Sequence, residues 1–175
     1  MALRPAAPHE ILLPVKPGFM GLTLVVALCL NFLPWYGAAL WIKPDFLAVT
    51  LLYWYIHQPR RLGFAAAWVL GLAMDIGNAS LFGQHALAYT LLAYAGITLH
   101  RRVLMFGLGA QVLHVLPLLL LAQVAVLLVR MVAGTDFPGP IYFAASATGA
   151  ALWPLLTVVF QLPQRPKLDP EQPAI

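Results

Sequence analysis

The chain has 175 residues, 62% of them hydrophobic and only 9% charged, with a formal net charge of +4. A soluble domain carries roughly 25% charged residues, so this balance excludes an ordinary soluble globule. Several apolar stretches of spanning length point instead to an integral membrane protein. The basic residues sit mostly in pairs between apolar runs, which argues against nucleic acid as a partner and reads as a topology signal.

Residues 1–17 are Pro-rich and polar, and are expected to form a poorly ordered N-terminal segment. A first span is predicted over Gly18–Tyr36, with Asn31 and Pro34 near its far end and Trp35-Tyr36 at interface depth. Its length, and the spans that follow, favour a retained helix over a cleaved signal. Cys29, alone in the chain, lies inside it and is expected to pack. After a loop at 37–43, Pro44 and Asp45 open a second helix, Pro44–His57. Proline suits a first turn, and an acid suits the positive end of the helix dipole. At 1.5 Å per residue this helix reaches about 21 Å, short of a hydrocarbon core about 30 Å thick. Either Trp41 and Ile42 extend the apolar stretch, or the helix starts below the surface behind other protein.

A polar turn at 57–61 leads to a third helix over Leu62–Ile76. Gly63, Ala67, Gly71 and Asp75 recur there every four residues, a strip of small side chains that ends in an acid and suits close helix contact. Residues 77–84, GNASLFGQ, form a loop in which Gly77 and Gly83 permit backbone conformations that other residues resist. The fourth helix is predicted over His85–Leu99, closed by His100-Arg101-Arg102. The fifth runs over Val103–Met131 with Pro117 inside it, so a tilt or kink is expected. A Gly/Pro loop at 133–140 precedes the sixth span, Ile141–Leu162, whose small run Ala144–Ala151 suits close packing. Residues 163–175 are Pro-rich and read as a disordered cytoplasmic tail.

The fold class is therefore an all-α integral membrane protein, a six-helix transmembrane bundle over residues 18–162. With six spans, Arg4, Lys16, Arg60, Arg61, Arg101, Arg102, Arg165 and Lys167 share one side, while Lys43 and Arg130 lie on the other. The excess of positive charge places both termini in the cytoplasm. Asp45 then begins an inward-going helix and Asp75 ends an outward-going one, so both acids lie toward the outer face. Charge in lipid is costly unless hydrated or partnered, and two acids at one depth point to one polar site. His85 and Tyr89, one helical turn apart, are placed to bond Asp75 across the short loop; the alternatives are a plain interface position for His85 and a helix-start role for Asp45. Gln111 and His114 share a face at i, i+3, which is either half of a metal or proton site or, more plainly, an interhelical hydrogen bond. Trp68 is either packing or an exposed docking surface. No nucleophile set, cysteine pair or histidine pair at metal spacing stands out, so no catalytic, cofactor or metal residues are expected and the protein reads as non-enzymatic.

These residues also carry a likeness to a known family. Pro44-Asp45-Phe46-Leu47 running into Leu52-Tyr53-Trp54 and Pro59 resembles the second-helix signature of the MreD family, bacterial rod shape-determining membrane proteins. Gly71-Leu72, Asp75 and the run SLFGQHALAY from Ser80 to Tyr89 resemble its central signature. Tyr94, Gln111 and Trp153-Pro154 fall where members carry similar residues. The likeness covers residues 15–160; the Pro-rich tail departs from the basic cluster in which members often end. It implies a non-enzymatic subunit of the cell-elongation complex in the bacterial inner membrane, with a fold similar to the six-helix S-components of energy-coupling-factor vitamin transporters. It also implies an MreC-like single-pass partner with a periplasmic coiled coil and, through it, MreB filaments, RodA and its transpeptidase partner, all in contact with membrane lipid and not with nucleic acid. Combined with the small-residue strip, it leads us to expect that Asp75, with Asp45 or His85, holds the outer helix ends in shape for a partner helix. Gly71, Gly83, Tyr89 and Gln111 complete the expected polar or partner-binding set. The rival reading is a substrate-binding membrane subunit of a vitamin transporter, which needs a ligand cavity; a membrane-embedded enzyme would need a nucleophile or metal set.

Overall fold

The computed structural model describes residues 15–37, 40 and 42–164. The tail from residue 165 and the first fourteen residues lie outside the described residues, and with them the order expected of both. Among the described residues six α-helices follow one another: α1 Pro17–Phe32, α2 Phe46–His57, α3 Phe64–Gly77, α4 Gln84–Leu104, α5 Leu108–Val132 and α6 Ala144–Gln161. Short 3-10 turns at Pro140–Phe143 and Leu162–Gln164 flank α6.

The bundle is organised around its shortest helix. α2 is buried from Leu47 to Ile56 and packs on α1, α4, α5 and α6. Twelve residues rise only about 18 Å, and this is tolerable because protein surrounds the helix on every side. The helix thus lies behind other protein, as one of the two alternatives had it; the other involves Trp41, which lies outside the described residues. Aromatic side chains fill the space about it. Trp54 stacks on Phe160 with ring centroids 5.7 Å apart, and its indole N–H donates to Thr23 Oγ1 at 2.9 Å, so α1, α2 and α6 meet at one residue. Gly96 lets α4 approach α2, since an added Cβ would lie 3.1 Å from Leu52 and Tyr55.

Six helices stand where six spans were expected, and they differ in length. Among the described residues, α5 and the unit Pro140–Gln164 are long and apolar enough to cross a membrane by length and composition; α1, α2 and α3 are shorter apolar helices. The boundaries also shift. α1 stops at Phe32, short of Tyr36, because Pro34 pushes the residue before it into extended backbone: Leu33 has ψ of 138°. α4 does not close at His100 but runs on to Leu104, since Arg101 and Arg102 favour the negative end of a helix dipole. The turn falls at residues 105–107, and Gly107 starts α5.

Alternating helix directions leave the bundle with two chemically different ends. Asn31, Asp45, Asp75, His85 and Arg130 belong to one, the acidic end, where Asn31 Nδ2 donates to Asp45 at 2.8 Å and His85 to Asp75. Arg60, Arg61, Arg101 and Arg102 belong to the other. There Arg61 Nη1 donates to the Val15 carbonyl at 2.8 Å and ties the α2–α3 turn to the start of α1. α3 lies outermost. It makes its main contact with α4, and Phe64, Trp68, Val69 and Ile76 stay exposed.

Candidate functional site

Asp75 sits in the last turn of α3 and is 1% exposed. The chain solves the problem of burying it by giving it the start of the next helix. The first turn of any α-helix leaves backbone N–H groups without intrahelical partners. Gly83, the residue before α4, has φ of +98° and no side chain to cap them. Asp75 supplies the missing acceptor from eight residues upstream: Gly83 N–H donates to Oδ2 at 2.8 Å and His85 N–H to Oδ1 at 3.0 Å. Ser80 Oγ donates to the same Oδ1 at 3.2 Å. The His85 ring closes the set, with Nδ1 2.7 Å from Oδ1. A carboxylate has no proton to give, so at this contact Nδ1 is the donor, with Gln84 Nε2 also 3.3 Å from it; Nε2 is left to face away from the acid.

Asp45 forms a second node on the same end. It is the N-cap of α2, accepting from Ala48 N–H at 3.0 Å. The same Oδ1 accepts from Asn31 Nδ2 at 2.8 Å, and Oδ2 accepts from the Tyr89 hydroxyl at 2.7 Å. Asn31 adds its own Oδ1 as an acceptor for Phe46 N–H at 3.0 Å. His85 and Tyr89 are one turn apart on α4, with ring centroids 5.8 Å apart. They therefore join the two acids: Asp45 to Tyr89, His85 to Asp75. The sequence had both side chains bonding Asp75; Tyr89 bonds Asp45 instead, because a turn of α4 carries it past the loop to the start of α2.

The strip that ends in Asp75 is a contact surface for most of its length. Ala67, Gly71 and Asp75 are buried, whereas Gly63 stands in open space and offers its carbonyl to the Tyr55 hydroxyl at 3.0 Å. At Gly71 an added Cβ would lie 2.7 Å from the His85 carbonyl carbon and still nearer the Ala86 backbone, so only glycine lets α3 and α4 approach this closely.

Gln111 does not join this network. It lies at the start of α5, near the basic end, where Nε2 donates to the Phe106 carbonyl at 3.0 Å and Oε1 accepts from the buried Trp153 indole at 2.9 Å. Its partner on the sequence, His114, turns aside and stacks on Phe106. The interhelical bond is the reading the geometry has. Gln111→Leu would strand the Trp153 N–H, and we expect it to cost about 1–3 kcal/mol, read as a fall in unfolding temperature.

Between the acidic ends of α1, α2, α4, α5 and α6 lies a cavity of about 200 Å³. Asp45, Tyr89 and His85 form part of its wall, and so do Lys43, Arg130, Gln123, Tyr142 and Ser146. Lys43 Nζ donates to the Asn31 carbonyl, and burial lowers its amine below the ordinary lysine value while Asp45 opposes that shift. Arg130 Nε donates to Gln84 Oε1 at 3.2 Å. Ser146 donates to Gln123 Oε1, so its hydroxyl is engaged away from His85. Among the described residues no group of three His, Cys, Asp or Glu is placed to hold a metal ion. Sequence reasoning put Lys43 and Arg130 on this side of the bundle but did not join them, Asn31 or Gln84 to the polar site. The signal available was weak: two lone basic residues on the side opposite the arginine pairs.

Comparison with known proteins follows the same residues. The family model described as rod shape-determining protein MreD matches residues 15–163. The chain is 33% identical over 70 residues to the rod shape-determining protein MreD of Haemophilus influenzae, a stretch that is 40% of this chain. The aligned part spans 43% of that relative's length, less than half of it. No solved structure matches the chain significantly.

Proposed function

The chain belongs to the MreD family of rod shape-determining membrane proteins, and from that premise we propose that it is a non-enzymatic, multi-pass subunit of the cell-elongation complex in the bacterial inner membrane. In this reading both termini face the cytoplasm and the acidic end faces outward, by the distribution of basic residues. The bundle is proposed to be of the energy-coupling-factor S-component type. It docks an MreC-like single-pass protein and through it links MreB filaments to RodA and its transpeptidase partner.

The observation that carries this reading is how the polar side chains are used. Asp45, Asp75, His85, Tyr89 and Asn31 are spent on fixing helix ends to one another, and the outer face of α3 stays apolar and unpartnered. A rigid bundle with an apolar flank suits helix-to-helix docking in lipid. Trp68, 46% exposed beside the buried strip, is the anchor we assign to the partner. The rival carrier reading draws less support, because a cavity of about 200 Å³ falls below the roughly 300–1,000 Å³ of sites for drug-sized ligands.

Gentle solubilisation and co-purification test the proposal. The wild type is expected to recover a single-pass coiled-coil protein together with wall-synthesis enzymes, and Trp68→Ala to lose most of that partner at equal protein level. Full recovery with Trp68→Ala would move the docking face elsewhere on the bundle. An ATPase pair with a coupling subunit in place of the single-pass partner would overturn the scaffold reading.

A further inference from the structure

The cavity at the acidic end has two cations on its wall, Lys43 and Arg130, against one carboxylate, Asp45, that pairs with neither. Three acids lie among the described residues. Asp75 is enclosed by His85, Gly83 and Ser80. Asp45 has its oxygens taken by Asn31, Ala48 and Tyr89. Asp136 is exposed in the α5–α6 loop. The one acid–base pair among these residues is His85–Asp75, so neither Lys43 nor Arg130 has a carboxylate partner there. Lys43 spends one N–H on the Asn31 carbonyl. Arg130 spends its Nε–H on Gln84, and its four Nη protons have no acceptor among the described residues. Both side chains are half-buried and line the same cavity, and His85, whose Nε2 is not used by Asp75, lines it too.

Partly buried charge is costly without a counter-charge. A planar guanidinium fork and a point-like ammonium facing one space are the pair of donors that suits tetrahedral oxyanions. We propose that this cavity is a binding site for a single phosphate group, held between Lys43 and Arg130. A volume of about 200 Å³ admits a phosphate with a few waters, each taking about 30 Å³. The site lies at the bundle end, where Lys43 stands in the α1–α2 loop and Arg130 in the last turn of α5. A phospholipid headgroup and a free phosphate ion offer the same chemistry there. The site stands independently of partner docking, since none of its residues is on the exposed face of α3.

The test uses the full chain purified in a neutral sugar detergent, titrated with inorganic phosphate and, separately, with dihexanoylphosphatidylglycerol, binding being read by calorimetry and by the rise in unfolding temperature. Saturable binding of at least one probe is expected, weakened about tenfold or more in Lys43→Gln/Arg130→Gln. The charge-matched variant Arg101→Gln/Arg102→Gln, at the opposite end, should bind as the wild type does. Binding of the lipid alone assigns the headgroup as the source; binding of both assigns the free anion. Should the first double variant fail to fold, Arg130→Lys/Lys43→Arg keeps the charge and is expected to retain binding within a few-fold. Saturable binding of neither probe, or equal loss in both neutralised variants, would overturn the proposal, and the first of these would leave a partner's acidic side chain as the counter-charge.

Discussion

Asp75→Ala is expected to be the most damaging single polar substitution in the bundle. The carboxylate accepts from Gly83 N–H, His85 N–H, Ser80 Oγ and His85 Nδ1. Removing it leaves the first turn of α4 uncapped and a buried histidine ring without its partner. Truncating one member of a buried pair typically costs about 3–5 kcal/mol, which for a chain of this size is on the order of 10 °C in unfolding temperature. Asp75→Asn keeps the volume and one acceptor but turns an NH2 group toward donors, so an intermediate loss is expected. Unfolding followed by tryptophan fluorescence in detergent measures both. Chymotrypsin supplies a local readout, because Phe82 in the α3–α4 loop is exposed and cleavage there should accelerate as the cap is lost. An Asp75→Ala protein that melts with the wild type would mean that the carboxylate does not hold the loop. The expected instability has a practical consequence: loss of a partner in Asp75→Ala would report a loosened fold, so docking is better probed from the exposed face of α3.

The second large effect is expected at Gly71. Its hydrogen points at the backbone of His85 and Ala86, and an added Cβ would lie 2.7 Å or less from those atoms. The obstacle is backbone, which cannot swing aside as a flexible side chain would. Gly71→Ala must push α3 from α4, and overpacking of this kind costs about 1–3 kcal/mol; Gly71→Leu is expected to prevent accumulation of folded protein in the membrane. Gly63 is the internal control. It precedes α3 as its N-cap and has open space around it, so Gly63→Ala meets no clash and should cost only the poorer capping of alanine, about 1 kcal/mol or less. If Gly71→Ala cost no more than Gly63→Ala, the α3–α4 approach would be looser than described. Because α3 carries the proposed docking face, the partner should be lost from Gly71→Ala in proportion to the loss of folded protein.

Much of the architecture was legible in one dimension. Apolar runs bounded by Pro, Gly and arginine pairs separate six helices without help from contacts, since each signal acts on its own few residues. Asp45 was readable as a helix-start acid for the same reason: an N-cap bonds only three residues ahead, to Ala48. The four-residue spacing of Ala67, Gly71 and Asp75 placed them on one face, because helical periodicity is local. Lengths were less legible. α2 and α3 had the composition of spans but not their extent, and only the shell of helices around α2 explains how a helix of about 18 Å can be so apolar.

What the chain order could not decide was which polar group meets which. Asp75 was visible as a costly charge near a loop, yet its role as the cap of α4 depends on the loop folding back over it. Tyr89 and His85 were visible as neighbours on α4, yet the choice of Asp45 for one and Asp75 for the other is set by where α2 and α3 stand. Gln111 had the same composition signal as the acidic-end residues and belongs to the opposite end, bonded to Trp153 across 42 positions. Lys43 and Arg130, far apart in the chain, became one site only when the helices closed around a common cavity. The sequence by itself determined the family, the helices and the two ends of unlike charge, because these rest on local periodicity and on the separation of apolar from charged runs. The tertiary structure alone decided the pairing of the acids and the uncompensated cations, because hydrogen bonds and charge balance depend on distances between elements, which no local pattern encodes.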